Sequence, residues 1–389
     1  MKSKKIMKGI LYSIAIVGLF NAVSCYASEV AAEVVINKSE MLKSKHGLEK
    51  MYAPATYAPS FIVLHYAVTT TIGQTVNAYY GAGVSAHYTV DKDGTIFQHV
   101  EDGNIAYHAG LSYWRGKYSL NWYAKGIEQV NTGSDVNNKP WKEPRSFKEA
   151  DGREWETWSE VQIKSTAELV KSLVEQHNIK SWNIIGHSDC SCGRKDDPGP
   201  LFPWKKMHDE YGVGFWPDED TTITKELTNE LNNKDYMCLL HAFGYPIKGF
   251  ASSVENGKEL EEMLASEEEL KGRSVSAKVE RNIQNMNGMS NGLTDRETIS
   301  SFQHHYMQDK FENDSTYRSG RLDDDTQLII LKCIKSIIKN VDKDDYSLRM
   351  LEKMYQSDLS NEAEKLIESF NQDGKLGLKA KGEEPYADL

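Results

Sequence analysis

Two short apolar runs, Phe61–Leu64 and Asn183–Ile185, lie far apart in the chain, and each leads into a histidine: His65 directly, His187 after Gly186. Runs this short and rich in β-branched residues read as buried strands. In open sheets the functional groups gather past strand ends, so a fold that sets both runs in one sheet brings two imidazoles to one edge. Between them, Val161–His177 spaces Val161, Leu169, Val170, Leu173 and Val174 along one helical face. His87–Val90 and Thr95–Val100 flank Asp91-Lys-Asp-Gly94, and Asp-Gly between two such runs predicts a hairpin. Gly126–Val130 is a further strand candidate. Strands alternating with a long helix predict an α/β fold, a mixed β-sheet flanked by helices.

The second histidine opens a turn-rich segment, His187-Ser-Asp-Cys-Ser-Cys-Gly-Arg-Lys-Asp-Asp197, followed by Pro-Gly-Pro. Zinc accepts neutral imidazole nitrogen and carboxylate oxygen, and a catalytic zinc site keeps one position open. His65, His187 and Asp197 would supply three ligands for one Zn2+; on spacing alone Asp196 would serve as well as Asp197. An ion held there would lower the pKa of its bound water towards ~7. Amide hydrolysis also needs a proton acceptor and a positive group for the oxyanion, one such donor being worth ~3 kcal/mol. Glu128 on the predicted strand and Lys195, two residues before Asp197, are the candidates. Cys190 and Cys192 share the segment, but their spacing does not match the two-residue gap of zinc knuckles. Five cysteines in all do not make a disulfide framework.

A net charge of −11 argues against nucleic acid or an anionic membrane surface as the main partner. The first residues read as an export signal over 1–27: Lys2, Lys4, Lys5 and Lys8 precede the apolar Gly9–Val23, which is too short to span a bilayer. Two processing sites compete. Cys25-Tyr-Ala27 fits small-x-small cleavage, which would leave a soluble periplasmic or secreted protein. Ala22-Val-Ser-Cys25 fits a bacterial lipobox without its usual leucine, which would leave Cys25 lipidated and the protein anchored at the outer membrane. Residues 28–50 read as a linker and 51–218 as the zinc domain. Beyond Asp218 the composition turns helical and acidic. Tyr236–Phe243, Thr294–Tyr306 (Thr294 as N-cap, Glu297 three residues on) and Asp325–Lys339 predict a second, small three-helix domain over 219–340. Glu255–Leu270 reads as a solvated helix or inserted loop, and 341–389 as a tail of further helical pattern with a disordered end.

Ile62-Val-Leu-His65-Tyr, Ser85-Ala-His-Tyr88, Ala106-Tyr-His-Ala-Gly110, Ser112-Tyr-Trp-Arg-Gly116, Asn121, Gly126-Ile-Glu128, Gly186-His-Ser-Asp189, Gly193-Arg-Lys195, Asp197-Pro-Gly-Pro200 and Phe202-Pro-Trp204 occur in this order. In these motifs the chain resembles the zinc-dependent N-acetylmuramoyl-L-alanine amidases of the type-2 family, particularly their outer-membrane lipoprotein branch. His241–Pro246, Ser301–Tyr306 and Gly320–Thr326 resemble the three-helix peptidoglycan-binding module of that branch. The resemblance implies zinc ligands at His65, His187 and Asp197, catalytic partners at Glu128 and Lys195, and peptidoglycan or muropeptides as substrate. It also implies hydrolysis of the bond between N-acetylmuramic acid and L-alanine. Trp114, Arg115 and Asn121 then fall in a loop expected to border the cleft, where an arginine can hold a peptide carboxylate in bidentate fashion. His87 and His108 are expected to line the groove or support the ligands, and Asp189 to hydrogen-bond its own loop. Two other readings are a non-catalytic peptidoglycan-recognition protein and a zinc peptidase acting within the stem peptide. No Gly-x-Ser-x-Gly elbow supports a serine hydrolase. Cys190 and Cys192 depart from the apolar residue and proline usual in the family, and Asn131–Glu160 is longer than expected.

Overall fold

Six strands build the sheet that positions everything else: β1 (Ile36–Lys38), β2 (Phe61–Leu64), β3 (Tyr88–Val90), β4 (Ile96–Gln98), β5 (Ala124–Gln129) and β6 (Ile184–Gly186). The computed structural model describes residues 34–38, 52–134, 147–148, 153–218, 223, 228, 230–250, 275–314, 317 and 319–378. The export signal, most of the linker, the segment Glu255–Leu270 and the chain end beyond 378 lie outside the described residues. The order across the sheet is β1-β4-β3-β5-β2-β6. β3, β5, β2 and β6 run parallel to one another, and the expected hairpin supplies the one antiparallel pair, β3 with β4.

Alternation along the strands divides the core. Ile62, Leu64, Tyr88, Val90 and Ile127 share one buried cluster with Ile163, Ala167, Val170 and Leu173. The last four lie on helix α2 (Glu160–His177), which follows α1 (Ile72–Ala82) in the chain. Burying each large aliphatic side chain on this face is worth roughly 1.5–3 kcal/mol. Ser159 caps α2 through a hydrogen bond from the Gln162 amide, and Asn178 ends it in the left-handed region at φ 53°. Val161, expected on the inner face, is instead 48% exposed. It stands two residues, roughly 200° of helix, from the core-facing Ile163.

Phe61, Val63, Ala124 and Ile185 face the other way, into a second cluster completed by the C-terminal helices. Two short helices, α3 (His187–Cys190) and α4 (Trp204–Tyr211), lead into this region. There follow α5 (Asn233–Phe243), α6 (Val275–Gly292), α7 (Asp295–Tyr306), α8 (Gln308–Asn313), α9 (Asp324–Asn340), α10 (Tyr346–Ser357) and α11 (Asn361–Phe370). The three helices legible in the sequence are α5, α7 and α9, and Thr294 with Glu297 forms the capping box expected at the start of α7. On α9 the apolar spacing of Leu328, Leu331, Ile334, Ile337 and Ile338 predicts the inner face; all but Leu328, which is half-buried, are buried, and Ile330 and Cys333 join them. Leu348, Leu351, Leu366 and Ile367 carry α10 and α11 into the same core. Asp235 of α5 ties α11 down by accepting from the Ser360 amide at 2.9 Å and its hydroxyl at 2.7 Å. Among the described residues, no helix is long and apolar enough to cross a membrane.

Candidate active site

Strand register does most of the assembly. Leu64 of β2 stands opposite Gly186 of β6 on one side and Ile127 of β5 on the other. The next residues, His65, His187 and Glu128, are therefore neighbours at one end of three parallel strands, and pleating turns their side chains to the same face. The His65 amide donates to Ile127 O at 3.0 Å, which keeps the register one step past the strand. Asp197 returns to this edge because the Ser188 amide donates to its carbonyl at 2.8 Å, closing the loop on itself.

Three side-chain atoms converge. His65 Nδ1 lies 2.8 Å from Asp197 Oδ2 and 3.0 Å from His187 Nδ1, and His187 Nδ1 lies 3.0 Å from the same carboxylate oxygen. His65 and His187 are almost wholly buried. Among the described residues these three form the one group of histidine, cysteine or acidic side chains arranged to hold a metal ion. His187 Nε2 faces the Ala109 carbonyl at 2.9 Å and Arg194 Nη2 at 3.1 Å, and these outer contacts hold the ring with Nδ1 turned into the triangle. His65 Nε2 meets His108 Nδ1 at 3.0 Å. Two ring nitrogens and a carboxylate oxygen gathered this closely suit a cation. A tetrahedral zinc with bonds of ~2.0–2.1 Å spaces its ligand atoms by about 3.3 Å, near the separations found here. Burial and then the facing His187 push the His65 pKa down to about 4. Burial alone would raise Asp197, but His187 and the hydrogen bonds from both imidazoles hold it well below the carboxylate range.

Glu128 borders this triangle. Its Oε2 is shut off from solvent without a hydrogen-bond partner. Burial first, and the Asp197 charge second, push its carboxyl up to about 8, with Lys195 pulling the other way. The positive charge of Lys195 also acts on His65, lowering it. A base whose pKa lies near neutral pH is suited to proton transfer.

A supporting layer holds the two imidazoles. Asn121 Oδ1 accepts from the amides of His108 at 2.9 Å and Ala109 at 2.7 Å. Arg194 Nη2 donates to the carbonyls of Ala109 at 2.7 Å and Leu111 at 2.8 Å. The turn that orients both histidines is thus gripped from two sides. Gly126 lets His108 lie against β5: a Cβ there would come within 2.4 Å of the His108 ring.

The structure corrects several expectations. Arg115 is buried and its guanidinium is fully engaged. Nη1 donates to Phe243 O at 2.9 Å and Ser347 Oγ at 2.8 Å, and Nη2 pairs with Asp345. It fastens the loop to the C-terminal helices and is not free to hold a substrate carboxylate. Trp114 is buried beside Tyr245 and Phe243, with Nε1 donating to Trp182 O. His87 is buried, accepting from the Gly126 amide at Nδ1 and donating to Asn104 O, so it braces β5 and lines no groove. Asn121 positions the turn, and His108 meets the outer nitrogen of His65. Cys190 and Cys192 are buried free thiols that donate to the carbonyls of His187 and Asp189. Burial raises both thiols, Cys190 to about 12, and neither belongs to the group of side chains that converges as a metal site. Arg194 was legible only as the middle of Gly193-Arg-Lys195; its role depends on a carbonyl 85 residues away.

Fold and site define a class. Residues 55–200 match the N-acetylmuramoyl-L-alanine amidase family model, and the chain is similar to type-2 amidases of the AmiD kind. The N-acetylmuramoyl-L-alanine amidase AmiD of Escherichia coli (strain K12) is 32% identical over 176 residues, covering 42% of this chain and 59% of AmiD. The 1,6-anhydro-N-acetylmuramyl-L-alanine amidase AmpD of the same organism is 28% identical over 124 residues, covering 32% of this chain and 56% of AmpD. The chain thus spans less than two thirds of the length of these relatives. The structure of E. coli AmiD with its substrate anhydro-N-acetylmuramic acid-L-Ala-D-gamma-Glu-L-Lys aligns with a TM-score of 0.51 at 24% identity, covering 74% of this chain and 91% of that one. AmpDh3 of Pseudomonas aeruginosa aligns with a TM-score of 0.51 at 22% identity, covering 74% and 95%. These two likenesses, both under 25% identical, bear on the fold.

Proposed function

We propose that this chain hydrolyses the amide between N-acetylmuramic acid and the L-alanine of peptidoglycan or its fragments, with one Zn2+ held by His65, His187 and Asp197. The observation that carries the reading is the convergence of two imidazole nitrogens and one carboxylate oxygen within 3.0 Å of one another, with Glu128 on the adjoining strand. Zinc bound there supplies a Lewis acid for the lactyl carbonyl and lowers the pKa of water. Glu128 accepts the proton of the attacking water and delivers it to the departing L-alanine nitrogen. Lys195 places its positive charge where the oxyanion develops. Asn121, His108 and Arg194 keep the imidazoles aimed.

A recognition protein that had lost catalysis would not need Glu128 Oε2 shut off from solvent without a partner beside the triangle. Digestion of muropeptides followed by mass analysis is the test. Release of the intact stem peptide, abolished by a chelator and restored by zinc, is expected. Release of a peptide fragment would move the cut into the stem, and no release with zinc present would leave a binder. Export through residues 1–27 belongs to the same proposal, because the substrate lies outside the cytoplasm. The mass of the mature N-terminus distinguishes cleavage after Ala27 from lipidation at Cys25.

A further inference from the structure

Asp189, two residues past the ligand His187, is fully buried. Its carboxylate takes three donors from three parts of the chain. The Gly186 amide donates to Oδ2 at 2.7 Å, His305 Nδ1 to Oδ2 at 2.7 Å and the Tyr245 hydroxyl to Oδ1 at 2.7 Å. Gly186 is the residue immediately before His187. Cys192 Sγ donates to the Asp189 carbonyl, and the Ser188 amide donates to the carbonyl of Asp197. Asp189 is therefore the internal anchor of the loop that carries two of the three proposed ligands.

Two of its donors come from outside the amidase segment. Tyr245 follows α5, and His305 lies on α7, which packs against α3. Neither ring can drift. His305 is stacked on Trp204 (3.9 Å between centroids, 10° between planes), and Tyr245 stands edge-on to Trp114 at 4.8 Å. A buried carboxylate whose donors are removed must find others or shift, and a shift of Asp189 drags the Gly186 amide and His187 with it. Ligand geometry tolerates displacements of only about 0.5 Å.

We infer that Tyr245 and His305 are positioning residues for the metal site: the C-terminal helices aim His187 through Asp189. This rests on the metal-site reading above. The consequence is that the C-terminal helices form part of the active-site scaffold, whatever else they bind.

The test measures zinc affinity of the full chain by competition with a chromophoric chelator, beside its melting temperature. Tyr245→Phe removes one hydroxyl. His305→Phe keeps the stacked ring and removes the donor, and His305→Asn returns a donor near the position of Nδ1. Tyr236→Phe is the control, an equally buried hydroxyl on α5 that donates to Thr228 O at 2.8 Å. Tyr245→Phe and His305→Phe are expected to weaken zinc binding about 10- to 100-fold, the usual cost of losing a ligand's support. His305→Asn should recover most of that loss, and Tyr236→Phe should leave affinity unchanged even if it lowers the melting temperature. Wild-type affinity in both Tyr245→Phe and His305→Phe overturns the inference, as does equal weakening by Tyr236→Phe. If His305→Phe does not fold, Tyr245→Phe against Tyr236→Phe decides alone. A wild-type chain that binds zinc but releases no stem peptide defeats the hydrolase reading and leaves this inference standing. A wild-type chain that binds no zinc removes both.

Discussion

Glu128→Gln separates stability from catalysis in a way the structure makes quantitative. In the metal-free protein, burial and Asp197 hold the Glu128 carboxyl up at about 8, against 4.5 when unburied. A raised pKa means that the fold favours the protonated form. That contribution is fully present below the unfolded value and is lost as pH rises through the folded one. Integrated from about pH 5 to about pH 9, the loss is on the order of 4 kcal/mol. Glutamine has the same shape and no proton to lose, so the variant lacks this component. Urea denaturation of chelator-treated protein across that range should show the wild type losing several kcal/mol more than Glu128→Gln. Taking the difference between the two chains cancels His65, which titrates from a pKa of about 4 and weakens the fold as pH falls below 6.5. With zinc restored, Glu128→Gln should keep the ion and lose about 10²- to 10⁴-fold in turnover, the range for a missing general base. Parallel pH curves would refute the buried-carboxyl argument. Near-wild-type turnover would refute the base assignment.

Asp197→Ala should leave the protein without bound zinc after dialysis, as read by metal analysis, because two imidazoles alone do not complete the triangle. Arg115→Met should destabilise the fold by about 1.5–3 kcal/mol in urea by removing the buried guanidinium's bonds to Asp345, Ser347 and Phe243 O, while leaving KM for muropeptides unchanged. A raised KM with normal stability would return Arg115 to substrate binding. Gly126→Ala should push His108 off β5 and weaken zinc affinity about 10-fold in a chelator titration.

Much of the site was legible because its parts are local. Phe61–Leu64 and Asn183–Ile185 announce strands by composition, and a histidine next to a strand end needs only register to become a neighbour of another. Glu128 follows from the same logic one strand over. The Thr294–Glu297 capping box and the Asp-Gly hairpin are likewise patterns of adjacent residues. Arg115 shows where such reading stops. An arginine beside a tryptophan in a loop presents the same letters whether it faces a substrate or an aspartate of a distant helix cap, and its partner Asp345 lies 230 residues on.

The sequence alone determined which groups can do the chemistry, since side-chain type and short-range spacing set ligand identity, helix caps and strand ends. Only the tertiary structure decided where each group's hydrogen bonds go. It turned Arg115, Trp114 and His87 inward and set Tyr245 and His305 behind the loop from His187 to Asp197. A buried polar atom takes whatever partner long-range packing brings within about 3 Å, and no local pattern records that choice.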